Sequence, residues 1–275
     1  MCGEFGLSLV HLEEIGMQDA DEFLTRNLPF TVNMMDSIHR FPDRSDSCFL
    51  VNESVITAAL TVFRSGYNGH IWNDPIIWVV GKAEDSMQLV SLIDLNGSIL
   101  VSTTDLSDLI KSKYRSARNF SENIMVRAKR PDDSTLEFKS QVLSREHAGE
   151  SLALGLHVNG REATTELIER EQRFLMERKC YGIVDEGRVI SRGAVMSSVK
   201  EYSSVGAFFT DEKYRGQGYA SDVIRAVLAE ASKTSENTCL FVNEKNERAL
   251  SLYNKLGFSV SEKAYFCDID TGVTP

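Results

Sequence analysis

The stretch Val205–Ser232, VGAFFTDEKYRGQGYASDVIRAVLAEAS, constrains this chain more than any other. It reads as a strand over Val205–Thr210, a tight turn Tyr214-Arg215-Gly216-Gln217-Gly218-Tyr219, and a helix. Apolar residues recur at Ala220, Val223, Ile224, Val227, Leu228 and Ala231, the spacing of one helix face. Asp222, Arg225, Glu230 and Lys233 take the other face. The first amides of a helix lack partners within it, and their dipoles sum to partial positive charge. Two glycines at that point leave the amides bare, because no Cβ shields them. The stretch is therefore a candidate anion cradle for a nucleotide-like pyrophosphate, with Arg215 able to add a charge-assisted hydrogen bond.

Three cradle types compete. A P-loop requires G-x-x-x-x-G-K-[ST], and the chain has no such run. A dinucleotide fingerprint requires its glycines directly after a strand. Here Asp211–Arg215 intervene and the run is Gly216-x-Gly218-x-x-Ser221, a poor match. The third type is [QR]-x-x-G-x-[GA], which Arg215-Gly216-Gln217-Gly218-Tyr219-Ala220 fits at every fixed position. Downstream, Thr238–Asn243 reads as a buried strand. It is followed by Asn246-Glu247-Arg248-Ala249-Leu250-Ser251-Leu252-Tyr253-Asn254-Lys255-Leu256-Gly257-Phe258, which fits N-x-x-A-x-x-x-Y-x-x-x-G-F. The two ordered motifs resemble those of the GNAT superfamily of N-acetyltransferases, with an FR47-like C-terminal half. The resemblance is firm over about residues 179–266.

It implies an α/β (α+β) fold with a mixed, mostly antiparallel sheet. Two central parallel strands, Val205–Thr210 and Thr238–Asn243, would splay apart. The implied donor is acetyl-coenzyme A. Its pantetheine would pair with backbone groups of Phe208, Phe209 and Thr210. Its pyrophosphate would take amides from Arg215, Gly216, Gln217, Gly218, Tyr219, Ala220 and Ser221. Asn246 is either the N-cap of the next helix or a pantetheine ligand, or both. Tyr253, two turns further along that helix, is the candidate general acid for a departing thiolate; otherwise it is a core tyrosine. The predicted central strand offers no carboxylate as general base. Glu201, just before it, is the candidate, with His157 and Glu166 behind it and a water chain as the alternative.

At 275 residues the chain is long enough for two domains. The charged, proline-containing run Arg127–Ser134 divides it into 1–130 and 131–275. In the first half, expected helices (Asp19–Asn27, Val32–Phe41, Ser86–Asn96, Leu106–Tyr114) and strands (Leu7–Leu12, Cys48–Val51, Val55–Phe63, Ile71–Val80, Ile99–Ser102, Ile124–Ala128) repeat the element order of the second half. Pro75–Gly81 stands where Val205–Thr210 stands, and Lys82–Gln88 where the glycine turn does. That segment has two carboxylates and no glycine pair. The first half is thus expected to be a degenerate GNAT-like domain that binds no cofactor and helps line the acceptor site, or else an unrelated α/β domain.

A net charge of −10 argues against general nucleic-acid binding and against an anionic membrane surface. No apolar run is long enough to span a bilayer, and no signal peptide is evident, so the cytoplasm is the expected compartment. Five scattered cysteines show no metal-ligand spacing. The leading expectation is an enzyme that moves acetyl from acetyl-coenzyme A directly to an amine, most simply a small molecule. A non-catalytic acyl-coenzyme A sensor or scaffold is the alternative, and a nicotinamide oxidoreductase is a distant third.

Overall fold

A computed structural model describes residues 7–64, 75–95, 97–114, 118–130, 138–159 and 163–269. Residues 71–74 of the expected strand Ile71–Val80 lie outside them. So does half of the dividing run Arg127–Ser134.

The chain forms two compact units. The first half contributes β1 (Leu7–His11), α1 (Leu12–Ile15), α2 (Met17–Arg26), α3 (Val32–Arg40), β2 (Ser45–Asn52), β3 (Val55–Phe63), β4 (Ile76–Gly81), α4 (Ala83–Ser91), β5 (Ile99–Ser102), α5 (Ser107–Lys113) and β6 (Arg118–Ala128). The second contributes β7 (Gln141–Val142), α6 (Ala148–Asn159), α7 (Thr165–Glu177), β8 (Lys179–Asp185), β9 (Arg188–Ser198), β10 (Tyr202–Thr210), α8 (Tyr219–Ala231), β11 (Asn237–Asn243), α9 (Glu247–Lys255) and β12 (Ser259–Asp268).

In the first unit β1 to β4 are antiparallel neighbours in chain order, and β4 runs parallel to β5. Residues 262–268 of β12 belong to this unit. They pair antiparallel with β5, Tyr265 opposite Ser102 and Asp268 opposite Ile99, and Cys267 lies in the core around Leu60, Leu89 and Leu100. In the second unit β7, β8, β9 and β10 are antiparallel and β10 runs parallel to β11. Met125 of β6 packs into its core with Val223, Ile224 and Leu240. The sheet is thus mixed and mostly antiparallel with a parallel pair in each unit, the expected architecture. A cut at residue 130 differs from the observed division, because Met125 onward lies with the second unit and the chain from Glu262 with the first. Strand pairing is non-local, and nothing in an alternating strand pattern names its partner.

One local boundary differs: the helix expected from Asp19 starts at Met17, behind Gly16 as N-cap. The second unit opens with the two-residue strand Gln141–Val142 and the helix Ala148–Asn159. In α8 the apolar stripe is buried as its period requires, with Val223 and Val227 fully enclosed.

One half-buried acid has a stability consequence. Burial pushes the Glu122 carboxyl on β6 up to about 7. A carboxyl raised on folding binds its proton more tightly in the native state. Its contribution is complete below about pH 4.5 and is lost as pH rises through 7. Urea unfolding at pH 5 and pH 8 should show the native chain losing up to about 3 kcal/mol more than Glu122→Gln. Equal losses in the two proteins would mean the carboxyl titrates normally.

Candidate active site

β10 and β11 pair over only three residues: Tyr202 with Asn237, Ser203 with Thr238 and Ser204 with Cys239. Beyond Ser204 the two strands have no shared register, although β10 continues to Thr210 and β11 to Asn243. Burial follows the same division. Ser203, Ser204 and Val205 are buried, whereas Gly206–Thr210 are all half-exposed. A central strand that becomes solvent-accessible along its second half borders an opening. The other end is laced shut. Ser203 Oγ bonds Ser198 and Ser235, Ser235 Oγ donates to the Val199 carbonyl, and the Asn237 amide and side chain both donate to the Glu201 carbonyl.

On its other edge β10 is bulged against β9. Gly206 faces Ala194 and Phe209 faces Arg192, so β10 fits three steps against two. The extra residue is accommodated at Ala207, which has φ +53, a left-handed conformation costing a non-glycine residue about 1–2 kcal/mol. The bulge places Val205 and Phe208, three apart, in one core, while Ala207 and Phe209 turn to the opposite face. Gly193 makes this possible: a Cβ there would lie 2.2 Å from the Phe208 ring.

β10 then passes through a 3-10 turn over Glu212–Tyr214 to the glycines. Gly216 (φ +79) and Gly218 (φ +87) both hold left-handed conformations, and a Cβ at either would meet no atom of the described residues within 4 Å. Gly218 is the N-cap of α8 and supplies no side chain to its amides. The one carboxylate of the first turn, Asp222, accepts the amides of Lys139 and Ser140. Bare amides, helix dipole and open space therefore meet at one point, an arrangement that fits a diphosphate.

The other expected residues fall as follows. Arg215 is committed to the protein. Its Nε donates to the Thr210 carbonyl at 3.2 Å and its Nη1 meets Glu212 at 2.9 Å. Gln217 Nε2 donates to the Lys213 carbonyl. The Tyr219 ring lies 6.2 Å from that of Tyr214. Ala220 and Ser221 are half-buried in the first turn of α8. Asn246 caps α9, its side-chain Oδ1 accepting from the Ala249 amide at 3.2 Å, which leaves Nδ2 as a donor for a ligand. Tyr253 is buried. Its ring lies 6.2 Å from Phe208 and 6.0 Å from Phe258, in a core shared with Val205 of β10 and Leu240 and Val242 of β11. The structure therefore brings Tyr253 against the open half of β10. It does not bring Glu201 there. Glu201 lies in the turn before β10, at the laced end, about 13 Å of strand from Val205. Glu166 is on the first turn of α7, paired with Arg170.

Burial pushes the Cys180 and Cys267 thiols up to about 12 and that of Cys48 to about 11, so none is a thiolate near neutral pH. Among the described residues there is no acidic, histidine or cysteine group able to hold a metal, and no helix long and apolar enough to cross a membrane.

Residues 180–267 match the FR47-like protein family. No protein of curated function matches the sequence. Solved structures with the same fold include a Drosophila protein (13 % identity, TM-score 0.70, 98 % of this chain and 99 % of that one). A GCN5-related N-acetyltransferase-like protein from Streptococcus suis shares 18 % identity at TM-score 0.58, over 92 % of this chain and all of that one. A tandem GNAT protein from the clavulanic acid biosynthesis pathway shares 12 % at TM-score 0.52, over 98 % and 100 %. The chain has the fold of these GNAT proteins, and its residues 180–267 are FR47-like.

The bulge at Ala207 and the space at Gly193 are the features of this strand edge that the sequence reading missed. The signal for them is a glycine beside a charge, Arg192-Gly193, inside the largely apolar run Val189–Met196.

Proposed function

We propose that this chain is an N-acetyltransferase that passes acetyl from acetyl-coenzyme A to a primary amine within a ternary complex. The observation that supports this is the departure of β10 from β11 after Ser204, ending at the uncapped double-glycine start of α8. Acetyl-coenzyme A supplies an activated thioester whose carbonyl a free amine attacks directly, expelling a thiolate. The amides of Gly216 to Ser221 hold the diphosphate, and the open edge of β10 over Phe208, Phe209 and Thr210 aligns the pantetheine arm. Asn246 offers Nδ2 to that arm. Arg215 acts on the phosphates only by exchanging Glu212 for them; in its observed pose it steadies the Thr210 carbonyl. Tyr253 donates its hydroxyl proton to the sulfur as the C–S bond breaks. The amine's own proton leaves through water in the opening, since Glu201 stands at the closed end. The acceptor is a small molecule, and the protein works in the cytoplasm without nucleic acid or membrane.

In the first unit the corresponding parallel strands stay paired. β4 and β5 are in register from Ile76–Ile99 to Val79–Ser102, and the Thr103 amide continues to the Val79 carbonyl. The helix that follows opens with Glu84 and Asp85. We assign coenzyme binding to the second unit alone.

Thermal denaturation tests the reading. Acetyl-coenzyme A at about 100 times its dissociation constant stabilises by about 2.7 kcal/mol, which raises Tm by roughly 5–10 °C. NAD should leave Tm unchanged. A shift with NAD and none with acetyl-coenzyme A would return the glycine turn to the dinucleotide class. The carboxylate-free open half of β10 favours one second reading, a non-catalytic acyl-coenzyme A sensor. Binding without turnover across a panel of primary amines would establish that one instead.

A further inference from the structure

Three polar side chains are sealed in the second unit beneath the bulge. Arg192 of β9, Glu171 of α7 and Ser151 of α6 are all buried, at 3 %, 0 % and 0 % exposure. Arg192 Nη1 donates to Ser151 Oγ at 2.5 Å and pairs with Glu171 Oε1, and Ser151 Oγ donates to the same carboxylate at 2.7 Å. Such a pair is a costly way to fill a core, because desolvation offsets most of its attraction and apolar residues of like volume often serve as well or better. Here it is also incompletely satisfied, since Glu171 Oε2 and Arg192 Nε have no hydrogen-bond partner among the described residues. General stability does not account for it.

Its location does. Arg192 stands directly opposite Phe209, the residue at which β10 returns to register after the bulge. Its guanidinium lies over the Phe209 ring at 5.2 Å, with Phe174 of α7 at 6.0 Å on the same group. The next residue, Gly193, holds open the space for Phe208 on the other face, where that ring meets Tyr253. Adjacent residues of β9 thus grip adjacent residues of β10 from opposite faces of the sheet. If the bulge relaxed to regular pairing, β10 beyond it would slip by one residue. Phe208 and Phe209 would exchange faces, and the backbone groups facing the opening would turn away.

We propose that the Arg192–Glu171–Ser151 cluster is a positioning device that locks the bulge of β10 and so presents its free edge to the arm of the coenzyme. This rests on the acyltransferase reading above. None of the three residues need touch a ligand. They act through Phe209.

The consequence separates the two parts of the cofactor. The glycine cradle lies beyond the strand and does not depend on the bulge, whereas the pantetheine arm must run along it. Adenosine 3′-phosphate 5′-diphosphate carries the diphosphate without the arm. Its affinity and that of coenzyme A, both by calorimetry, are compared in the native chain and in Arg192→Met/Glu171→Met, which removes both buried charges together and should fold. Arg192→Lys serves as a second, charge-retaining variant. The expected result is that the double variant binds the fragment within about twofold of the native chain. The extra affinity that the arm confers on coenzyme A should fall at least tenfold, with Arg192→Lys in between. An arm contribution unchanged in a folded double variant would overturn the proposal. So would equal losses for both ligands, the mark of a merely structural role. A native chain that binds neither ligand would overturn the acyltransferase reading and this inference with it.

Discussion

Gly218→Glu should abolish measurable coenzyme A binding. The position has three properties that make the effect large. Its φ of +87 suits glycine, and any other residue there is strained by about 1–2 kcal/mol. A Cβ would point into open space, so the new carboxylate enters the cradle without being turned aside by a neighbour. It then sits at the amides that would hold the diphosphate, both competing for them and repelling the anion. Two unit charges about 4 Å apart at an effective dielectric near 20 interact by about 4 kcal/mol, and each 1.4 kcal/mol is tenfold, so the loss approaches a thousandfold. Gly218→Ala isolates the backbone cost, because it adds the same strain without the charge and should weaken binding only several-fold. Calorimetry on both variants, after their melting temperatures confirm folding, decides the matter. Native-like affinity in the glutamate variant would remove the cradle from the site.

The parts of this site that are local in sequence are legible in the residues themselves. Gly216 and Gly218, the stripe Val223–Val227 and the ordered Asn246–Tyr253–Phe258 pattern each state a backbone need or a helix face within a few residues. The structure finds the glycines left-handed, the stripe buried and Tyr253 packed beside the opening. What is illegible depends on partners far along the chain. The bulge at Ala207 faces Gly193 and Arg192 on β9, and Arg192 is buried there beside Glu171 and Ser151. An alternating strand pattern carries no such information. The same limit hides the assignment of β12 from Glu262 onward to the first unit and of Met125 to the core of the second. Glu201 is close to β10 in sequence, yet strand direction places it at the laced end.

Tyr253→Phe should lower kcat about a hundredfold and leave KM for acetyl-coenzyme A within about threefold, once a turned-over amine is in hand. General acid assistance is worth about 10²–10⁴ in rate, and the lower end applies because water in an opening can also protonate a thiolate. The substitution removes a hydroxyl and keeps the ring, so the contacts with Phe208 and Phe258 and the filling of the core persist. A fall in kcat without a rise in KM is the signature of an interaction made only as the C–S bond breaks. The result also distinguishes chemistry from packing. If the hydroxyl served only to satisfy a buried group, its loss would cost about 1 kcal/mol of stability and leave turnover untouched. Full kcat in a slightly destabilised variant would therefore make Tyr253 a core tyrosine and leave protonation of the sulfur to solvent. A large rise in KM at constant kcat would instead make it a ligand of the bound coenzyme.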